Sequence, residues 1–239
     1  MRFTKMRKQL SESLPVGILL AVSGGLMDAY SYLYRGQVFA NAQTGNVLLF
    51  SVHLSKGEWL PALHYAFPIA AFLCGVALAV FICHFHRHQE LLHWRQICVL
   101  LEAVILFSVA WIPQSANLLA NSLISLACGI QVEAFRKIED ATVATTMCIG
   151  NLRSTIHSAI TCGLVGDRGD KHTAYISSVM VVAFASGAVM GSILIRHFDA
   201  YSVCCGSIIM LVCFFLMFFH CRQKEIIIFK NNKSSPPIR

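Results

Sequence analysis

The chain consists of long apolar segments separated by short polar ones. A helix that crosses a lipid bilayer needs about 20 predominantly apolar residues. Six segments approach or reach that length, so the pattern predicts six membrane-spanning helices in an all-α, polytopic membrane protein. These segments cover residues 14–34, 61–85, 97–112, 117–135, 172–195 and 200–219.

Two further apolar segments, 39–55 and 142–165, are weaker because each contains several hydroxyl or amide side chains. Each also contains a Gly-Asn pair, Gly45-Asn46 in the first and Gly150-Asn151 in the second. If both segments cross the bilayer, the chain has eight spans. If both enter and return on the same side, it has six spans and two broken or re-entrant segments.

The basic residues of the loops discriminate between these two topologies. With six spans, six basic loop residues lie inside and three lie outside; with eight spans, this bias reverses. Cytoplasmic loops carry an excess of Lys and Arg, so the six-span topology is favoured. The inner residues would be Arg87, Arg95, Arg136, Lys137, Arg168 and Lys171, and the outer ones Arg35, Lys56 and Arg196.

Composition agrees with a membrane protein, and the net charge lies at the two ends of the chain. Charged residues make up 13% of the sequence and hydrophobic ones 56%, whereas soluble domains have about 25% charged residues. The net charge of +7 comes from basic residues before the first span and after the last. Basic tails beside membrane spans predict cytoplasmic termini rather than nucleic-acid binding. The expected organisation is a basic N-terminus (1–13), two membrane repeats (14–113 and 117–221) and a basic tail (222–239).

The two halves of the chain resemble each other at a constant offset of 105 residues. Between positions 24 and 46 five residues recur, and the acid Asp28 faces the acid Glu133. A second offset, of 112, aligns Phe72 with Phe184 and Gly75 with Gly187. Three spans per half is an odd number, so the halves would be inverted repeats whose polar segments meet near the midplane. The recurring residues are Gly24, Ala29, Val38, Gly45 and Asn46.

The recurring polar residues are candidates for a substrate or ion path. Irregular backbone inside a membrane is tolerated where it lines a cavity, and buried ionisable residues such as Asp28 and Glu102 tend to face a cavity or a partner. The alternative is a packing role, with amide hydrogen bonds between helices and an ion pair of Arg153 with Asp28 or Glu102. The candidate path comprises Asp28, Gln43, Thr44, Gly45, Asn46, Gln131, Glu133, Thr146, Gly150, Asn151 and Arg153.

Other chemistry finds little support in the sequence. The ten cysteines form no C-x-x-C pair and are interpreted as small hydrophobic residues. The histidines between His84 and His93 are interpreted as a juxtamembrane loop rather than a metal site. Nucleotide-binding, hydrolase and metalloprotease motifs are absent. We therefore expect no enzyme activity, no cofactor and no metal.

The predicted function is small-solute transport or a channel, with a polar site between the two repeats and an unknown substrate. The alternative is a membrane scaffold or sensor that transports nothing and whose polar motifs pack helices. The expected partners are the lipid bilayer and an unknown small solute or ion, without nucleic acid, and a homo-oligomer is left open.

Several of these motifs resemble the YoaK-like family, bacterial multi-pass membrane proteins with a domain of unknown function. The resemblance rests on Gly24 and Asp28, on Phe39 leading to 44–46, and on residues 128–152, including Cys128, Gly129, Gln131, Ala134, Arg136, Thr145, Thr146, Gly150, Asn151 and Leu152. The chain departs from the pattern at Ile149 and at Val132-Glu133, where the family has Thr and Asn-Ala. The resemblance implies a multi-pass protein of the bacterial inner (plasma) membrane, and it implies no substrate.

Overall fold

A computed structural model of the protein describes residues 12–86, 93–139, 141–165 and 168–233. These residues form eight α-helices and a short antiparallel hairpin between α5 and α6, with strands β1 (Lys137–Ile138) and β2 (Ala141–Thr142). Short 3-10 turns precede α5 and α8. The helices are α1 (Leu14–Tyr34), α2 (Gln43–Ser55), α3 (Trp59–His86), α4 (Trp94–Val109), α5 (Asn117–Ala134), α6 (Ile149–Val165), α7 (Arg168–Phe198) and α8 (Cys204–Lys233).

The helices are long and apolar, as the hydrophobic pattern predicts. In the described residues, four stretches are long and apolar enough to cross a membrane: Leu14–Tyr34, Trp59–His86, Gln114–Ala134 and Gly169–Phe218, the last containing both α7 and the first half of α8. The predicted all-helical polytopic membrane fold is confirmed. The number of spans stays a prediction, because α4 has only 16 residues.

The two weak apolar segments form the two short helices. The first gives α2, with 13 residues, and the second gives α6, with 17. Since about 17 residues is the lower limit for a span, α2 is too short to cross a bilayer by itself. Helix α2 begins two residues before Gly45 and α6 begins one residue before Gly150, so each Gly-Asn pair lies in the first turn of its helix. An irregular stretch precedes each helix.

Helix α1 packs along α7 in a close contact that two glycines make possible. A Cβ atom on Gly25 would lie 2.0 Å from the carbonyl oxygen of Phe184. A Cβ atom on Gly187 would lie 2.0 Å from the carbonyl oxygen of Val22. Because no real Cβ atom approaches an oxygen so closely, only glycine allows the two backbones to come together here.

Helix α5 packs along α3 in the same manner. A Cβ atom on Gly75 would lie 2.1 Å from the carbonyl oxygen of Leu126, and one on Gly129 would lie 2.2 Å from that of Phe72. These contacts correspond one to one with those between α1 and α7. Equivalent positions differ by 104 residues in α1 and α5, and by 112 residues in α3 and α7.

The remaining helices complete the arrangement around these two pairs. Helix α2 packs on α3, α6 packs on α7, and α4 packs on α8. The larger apolar core contains Leu20 of α1, Leu106 of α4 and Ile130 of α5, each fully buried. A second, smaller cluster joins α1 and α7 to the hairpin residue Ile138. Helix α8 continues to Lys233, so the predicted basic tail is helical over its first part.

Arg35, the first residue of a predicted outer loop, directly follows the last residue of α1. Its side chain is fully buried at the end of α1. The guanidinium donates to the hydroxyl of Tyr30 (3.0 Å) and to the carbonyl oxygens of Val109 (3.0 Å) and Ile112 (2.8 Å). Arg35 therefore joins α1 to the end of α4, a contact that hydropathy cannot reveal.

Candidate functional site

The amide of Asn46 holds the chain segment that precedes α2. Its Oδ1 accepts a hydrogen bond from the N–H of Phe39 (3.2 Å), and its Nδ2 donates to the carbonyl oxygen of Phe39 (2.7 Å). Nδ2 also donates to Oε1 of Gln43 (2.9 Å). The side chain is fully buried, and these three hydrogen bonds all stay within its own segment.

Asn151 holds the segment that precedes α6 by two equivalent bonds and a different third one. Its Oδ1 accepts from the N–H of Ala144 (3.1 Å), and its Nδ2 donates to the carbonyl oxygens of Ala144 (2.6 Å) and Met147 (3.0 Å). Ala144 lies 105 residues after Phe39, so here the offset seen in the sequence agrees with the contacts. Each asparagine therefore holds the backbone of the segment that precedes its helix.

Replacing either asparagine by alanine is expected to destabilise the protein by about 2–3 kcal/mol, because buried backbone groups lose their partners. Asn46→Ala and Asn151→Ala should have similar effects, since they break equivalent bonds. Thermal unfolding in detergent would measure both. Ser51→Ala in α2 and Thr161→Ala in α6 are matched controls, since these exposed hydroxyls bond only one turn back. A large loss in the controls, or in only one asparagine variant, would contradict the equivalence.

The two irregular segments meet on the same turn of α1. Nδ2 of Asn41, from the segment before α2, donates to the carbonyl oxygen of Gly24 (3.0 Å). The carbonyl oxygen of Thr145, from the segment before α6, lies 3.0 Å from where a Cβ atom of Gly24 would be. A polar segment from each half of the chain thus reaches Gly24. The absence of a side chain there leaves room for the second segment.

Polar side chains line α1 on either side of Gly24. The N–H of Asn41 donates to Oδ1 of Asp28 (2.8 Å). One turn before Gly24, Nε2 of Gln131 donates to the carbonyl oxygen of Leu20 (3.0 Å) and to Oγ1 of Thr145 (3.0 Å). Leu20, Gly24 and Asp28 are spaced at four residues and therefore share one face of the helix.

Three residues that contact this face each have an oxygen atom that is buried without a hydrogen-bond partner in the described part of the chain. These atoms are Oδ1 of Asn41, Oε1 of Gln131 and Oγ1 of Thr146. Most buried polar atoms in proteins are paired, so such atoms call for an explanation. We refer to Asp28, Asn41, Gln131 and Thr146 together as the acceptor seam.

A cavity of about 600 Å³ lies at the end of α5 and the beginning of α6. Its lining includes four predicted path residues, Glu133, Gly150, Asn151 and Arg153. We refer to this cavity as the α6 pocket. Glu133 forms a loose ion pair with Arg136 (3.6 Å), and Arg136 is largely exposed. The other lining residues are Val132, Arg136, Thr142, Val143, Ala144, Ser154 and His157.

The other predicted residues belong neither to the seam nor to the α6 pocket, although the N–H of Gln43 donates to the carbonyl oxygen of the seam residue Asn41 (2.8 Å). Gln43, Thr44 and Gly45 form the first turn of α2, where Thr44 is exposed. The Gly45 Cβ position meets the ring of Phe39 at 3.0 Å. Gln43 bonds within its own segment, donating from Nε2 to the carbonyl oxygen of Ala40 (2.8 Å).

The expected ion pair of Arg153 with Asp28 or Glu102 is not formed. Arg153 is exposed in the α6 pocket. Glu102 is fully buried in α4, and neither of its oxygens has a partner among the described residues. The sequence comparison aligned Asp28 with Glu133, but the helix contacts do not keep that alignment. Equivalent positions of α1 and α5 differ by 104 residues, so Asp28 corresponds to Val132.

Sequence reasoning missed Asn41 and Thr145, which connect the irregular segments to α1 and α5. Asn41 lies two residues before the Gln43–Asn46 motif, and Thr145 lies next to the predicted Thr146. Their closeness to those motifs is a weak signal. Only the tertiary contacts distinguish them from other polar residues nearby.

Comparison with known proteins identifies relatives without assigning an activity. The family described as "Protein of unknown function (DUF1275)" matches residues 16–217. The "UPF0700 transmembrane protein YoaK" of Bacillus subtilis (strain 168) is 28% identical over 148 residues. That alignment covers 58% of this chain and 63% of the relative, less than two thirds of the relative's length. No solved structure matches the chain.

Proposed function

We propose a transport function for this chain, which belongs to the family described as "Protein of unknown function (DUF1275)". In this proposal the chain is neither an enzyme nor a passive anchor. It moves a small solute or ion across the membrane at the interface between two inverted repeats. The family resemblance predicted from the motifs is confirmed, and the transport role is our inference from the site.

The proposed repeats are supported by matching interactions in the two halves. The α1–α7 contact at Gly25 and Gly187 has a counterpart between α5 and α3 at Gly129 and Gly75. The hydrogen bonds of the Asn46 amide to the backbone of Phe39 have a counterpart 105 residues later, those of Asn151 to Ala144. In each pair the first helix of one half packs on the third helix of the other half. A two-fold relation between the halves would produce this exchange.

The observation that carries the transport proposal is the meeting of the two irregular segments at Gly24 of α1. Transporters built from inverted repeats place their sites where broken segments from both repeats come together. Here Asn41 from the first half and Thr145 from the second contact the same turn. The unpartnered oxygens of the acceptor seam lie beside this meeting point.

The α6 pocket would be the entrance to this interface from one side. The loop that contains Arg136 and Lys137 lies at its rim, and the positive-inside rule assigns that loop to the cytoplasm. In this orientation both termini are cytoplasmic, and the protein resides in the bacterial inner membrane. The pocket would open to the cytoplasm, and the segment before α2 would be approached from outside.

A scaffold or sensor is the second candidate function, and one observation favours it. The amides of Asn46 and Asn151 are engaged within their own segments, as expected of packing elements. If the polar residues of the seam likewise serve only to pack the helices, the seam binds no ligand. Changes at Asp28 would then act through abundance alone.

A growth and uptake screen that compares a deletion strain with its complement would identify the solute. With that solute, Asp28→Asn is expected to abolish or uncouple uptake while membrane abundance stays near normal, because Asn has the same size and keeps most hydrogen bonds. Asp170→Asn at the start of α7 is a matched control and should transport normally. Full uptake by a well-expressed Asp28→Asn variant would remove the carboxylate from the mechanism. Loss of abundance with no selective loss of activity would favour the scaffold.

A further inference from the structure

We infer that the acceptor seam binds one monovalent cation, with Asp28, Asn41 and Thr146 as its ligands. This inference deepens the proposed function by naming an ion, and it rests on that function only in giving the ion a part in transport. The reasons lie in the orientation of the amides, the charge of the seam and its accessibility.

The orientation of two amide groups leaves oxygen atoms facing the seam. Nδ2 of Asn41 and Nε2 of Gln131 both donate to carbonyl oxygens of α1, those of Gly24 and Leu20. A carbonyl only accepts hydrogen bonds, so these contacts determine which amide atom is nitrogen. The remaining atoms, Oδ1 and Oε1, are therefore acceptors without a donor in the described residues.

The unpartnered atoms are all oxygen atoms: two amide oxygens and the hydroxyl oxygen of Thr146. The Cα atom of Thr146 lies 3.3 Å from the Cβ position of Gly24, and the Asp28 carboxylate, one turn further along α1, accepts a hydrogen bond from the N–H of Asn41. A donor or a cation would satisfy such a group. Carboxylate, amide carbonyl and hydroxyl oxygens are the ligands that hard cations prefer.

The charge of the seam matches a monovalent ion. Asp28 is its one ionisable side chain, whereas divalent cations are usually bound by several carboxylates. The two arginines discussed above are engaged or located elsewhere. The guanidinium of Arg35 bonds to Tyr30 and the end of α4, and Arg153 lines the α6 pocket. A cation with one charge would neutralise one carboxylate.

The carboxylate of the seam is more accessible than its other oxygen-bearing side chains, as a site that an ion enters at the carboxylate requires. Asn41 and Gln131 are fully buried and Thr146 is nearly so, whereas Asp28 is only partly buried. The carboxylate would receive the ion, and the enclosed oxygens would replace its hydration shell. Gln131 lies two turns away, about 12 Å along α1 from Asp28, and offers the next acceptor on the same face.

The ligands come from both halves of the chain. Asp28 and Asn41 belong to the first half, and Thr146 belongs to the second. A movement of one half against the other would therefore change the number of oxygens around the ion. Occupancy and conformation would be coupled, because a ligand shifts an equilibrium by its differential affinity for the two states.

The test measures thermal unfolding of the purified full-length protein in detergent, titrated with NaCl or KCl against choline chloride at constant ionic strength. Between about 1 mM and 300 mM, the wild-type midpoint should rise by about 3 °C or more with at least one of the two cations. The comparison of Na⁺ with K⁺ identifies the preferred ion. No rise over choline with either cation would overturn the inference, as would a midpoint that responds to pH alone.

Thr146→Val places the binding site without removing a satisfied interaction. Valine has the shape of threonine, and the lost hydroxyl has no hydrogen-bond partner among the described residues, so stability in choline should be retained. The cation-dependent rise should fall to less than half. Ser177→Ala in α7 is the matched control, since its buried hydroxyl likewise has no partner within the described ranges but lies outside the seam. It should keep the full rise.

Asp28→Asn provides the second variant and should lose the rise entirely. An unchanged rise in both Thr146→Val and Asp28→Asn would place the cation elsewhere and overturn the assignment. The outcome for transport is separable. A cation-dependent rise in a protein that transports nothing in the uptake screen would retain the seam and reject the proposed function. Uptake without any rise would reject the seam alone.

Discussion

Replacing Arg35 by alanine is expected to lower the free energy of unfolding by about 3–5 kcal/mol, because a buried hydrogen-bonded charge leaves its partners unsatisfied when it is removed. The guanidinium bonds to two carbonyl oxygens at the end of α4 and to Oδ1 of Asn117 (3.3 Å) in α5. It also lies over the rings of Tyr30 and Tyr34, at 5.4 and 5.3 Å from their centroids. The C-terminal end of a helix, here that of α4, attracts a positive charge. With these bonds Arg35 connects α1, α4 and α5.

Thermal unfolding of the purified protein would measure this loss. Arg35→Lys should recover little of it, since one ammonium group lacks the planar fork that reaches several acceptors. Arg196→Ala is the control, because Arg196 is an exposed arginine at the end of α7, and it should change stability by less than about 0.5 kcal/mol. Equal effects of the Arg35 and Arg196 substitutions would show that the bonds of Arg35 contribute no stability.

Gly75→Ala and Gly187→Ala are expected to be destabilising by about 3 kcal/mol each, at or above the upper end of ordinary overpacking. The new methyl group would lie 2.1 Å from a backbone oxygen at Gly75 and 2.0 Å from one at Gly187, and a backbone cannot move aside as a flexible side chain can. The helices would have to separate, so the contacts on either side of each glycine would also weaken. Equal losses are expected because the two glycines occupy equivalent positions.

The measurement is again thermal unfolding, together with abundance in the membrane. Gly163→Ala in α6 is the matched control, since a Cβ atom there meets no atom within 4 Å. Alanine favours a helix over glycine by about 1 kcal/mol, so this control should be neutral or stabilising. If Gly163→Ala and Gly75→Ala had the same effect, close helix packing would not be the reason for the glycines.

The membrane helices follow from the sequence because burial in lipid imposes one simple requirement on each of them. A spanning segment must be apolar and must satisfy its own backbone hydrogen bonds, so length and hydropathy predict it. The first apolar segment, 14–34, coincides with α1 (Leu14–Tyr34). The weak segments also give shorter helices, since the polar residues near Asn46 and Asn151 interrupt the pattern.

The internal similarity is visible in the sequence only in part. The offset of 105 holds where Asn46 and Asn151 clamp their segments. Between α1 and α5 the helix contacts follow an offset of 104 instead. A sequence comparison with one register cannot place a one-residue difference inside an apolar helix, where neighbouring residues are chemically alike. The contacts of the glycines place it.

The sequence by itself therefore determined the class of protein, the approximate helices and the polar residues that recur in its two halves. The tertiary structure alone decided which groups those polar residues contact. Asn46 and Asn151 are predicted path residues, and the structure shows that each bonds to the backbone of the residue seven positions earlier, Phe39 and Ala144. Arg35 is a loop residue by sequence pattern, but in the structure its side chain is buried and bonds to the carbonyl oxygen of Val109 at the end of α4. Hydropathy reflects the surroundings of a whole segment, whereas the partner of a single polar atom depends on contacts between residues far apart in the chain.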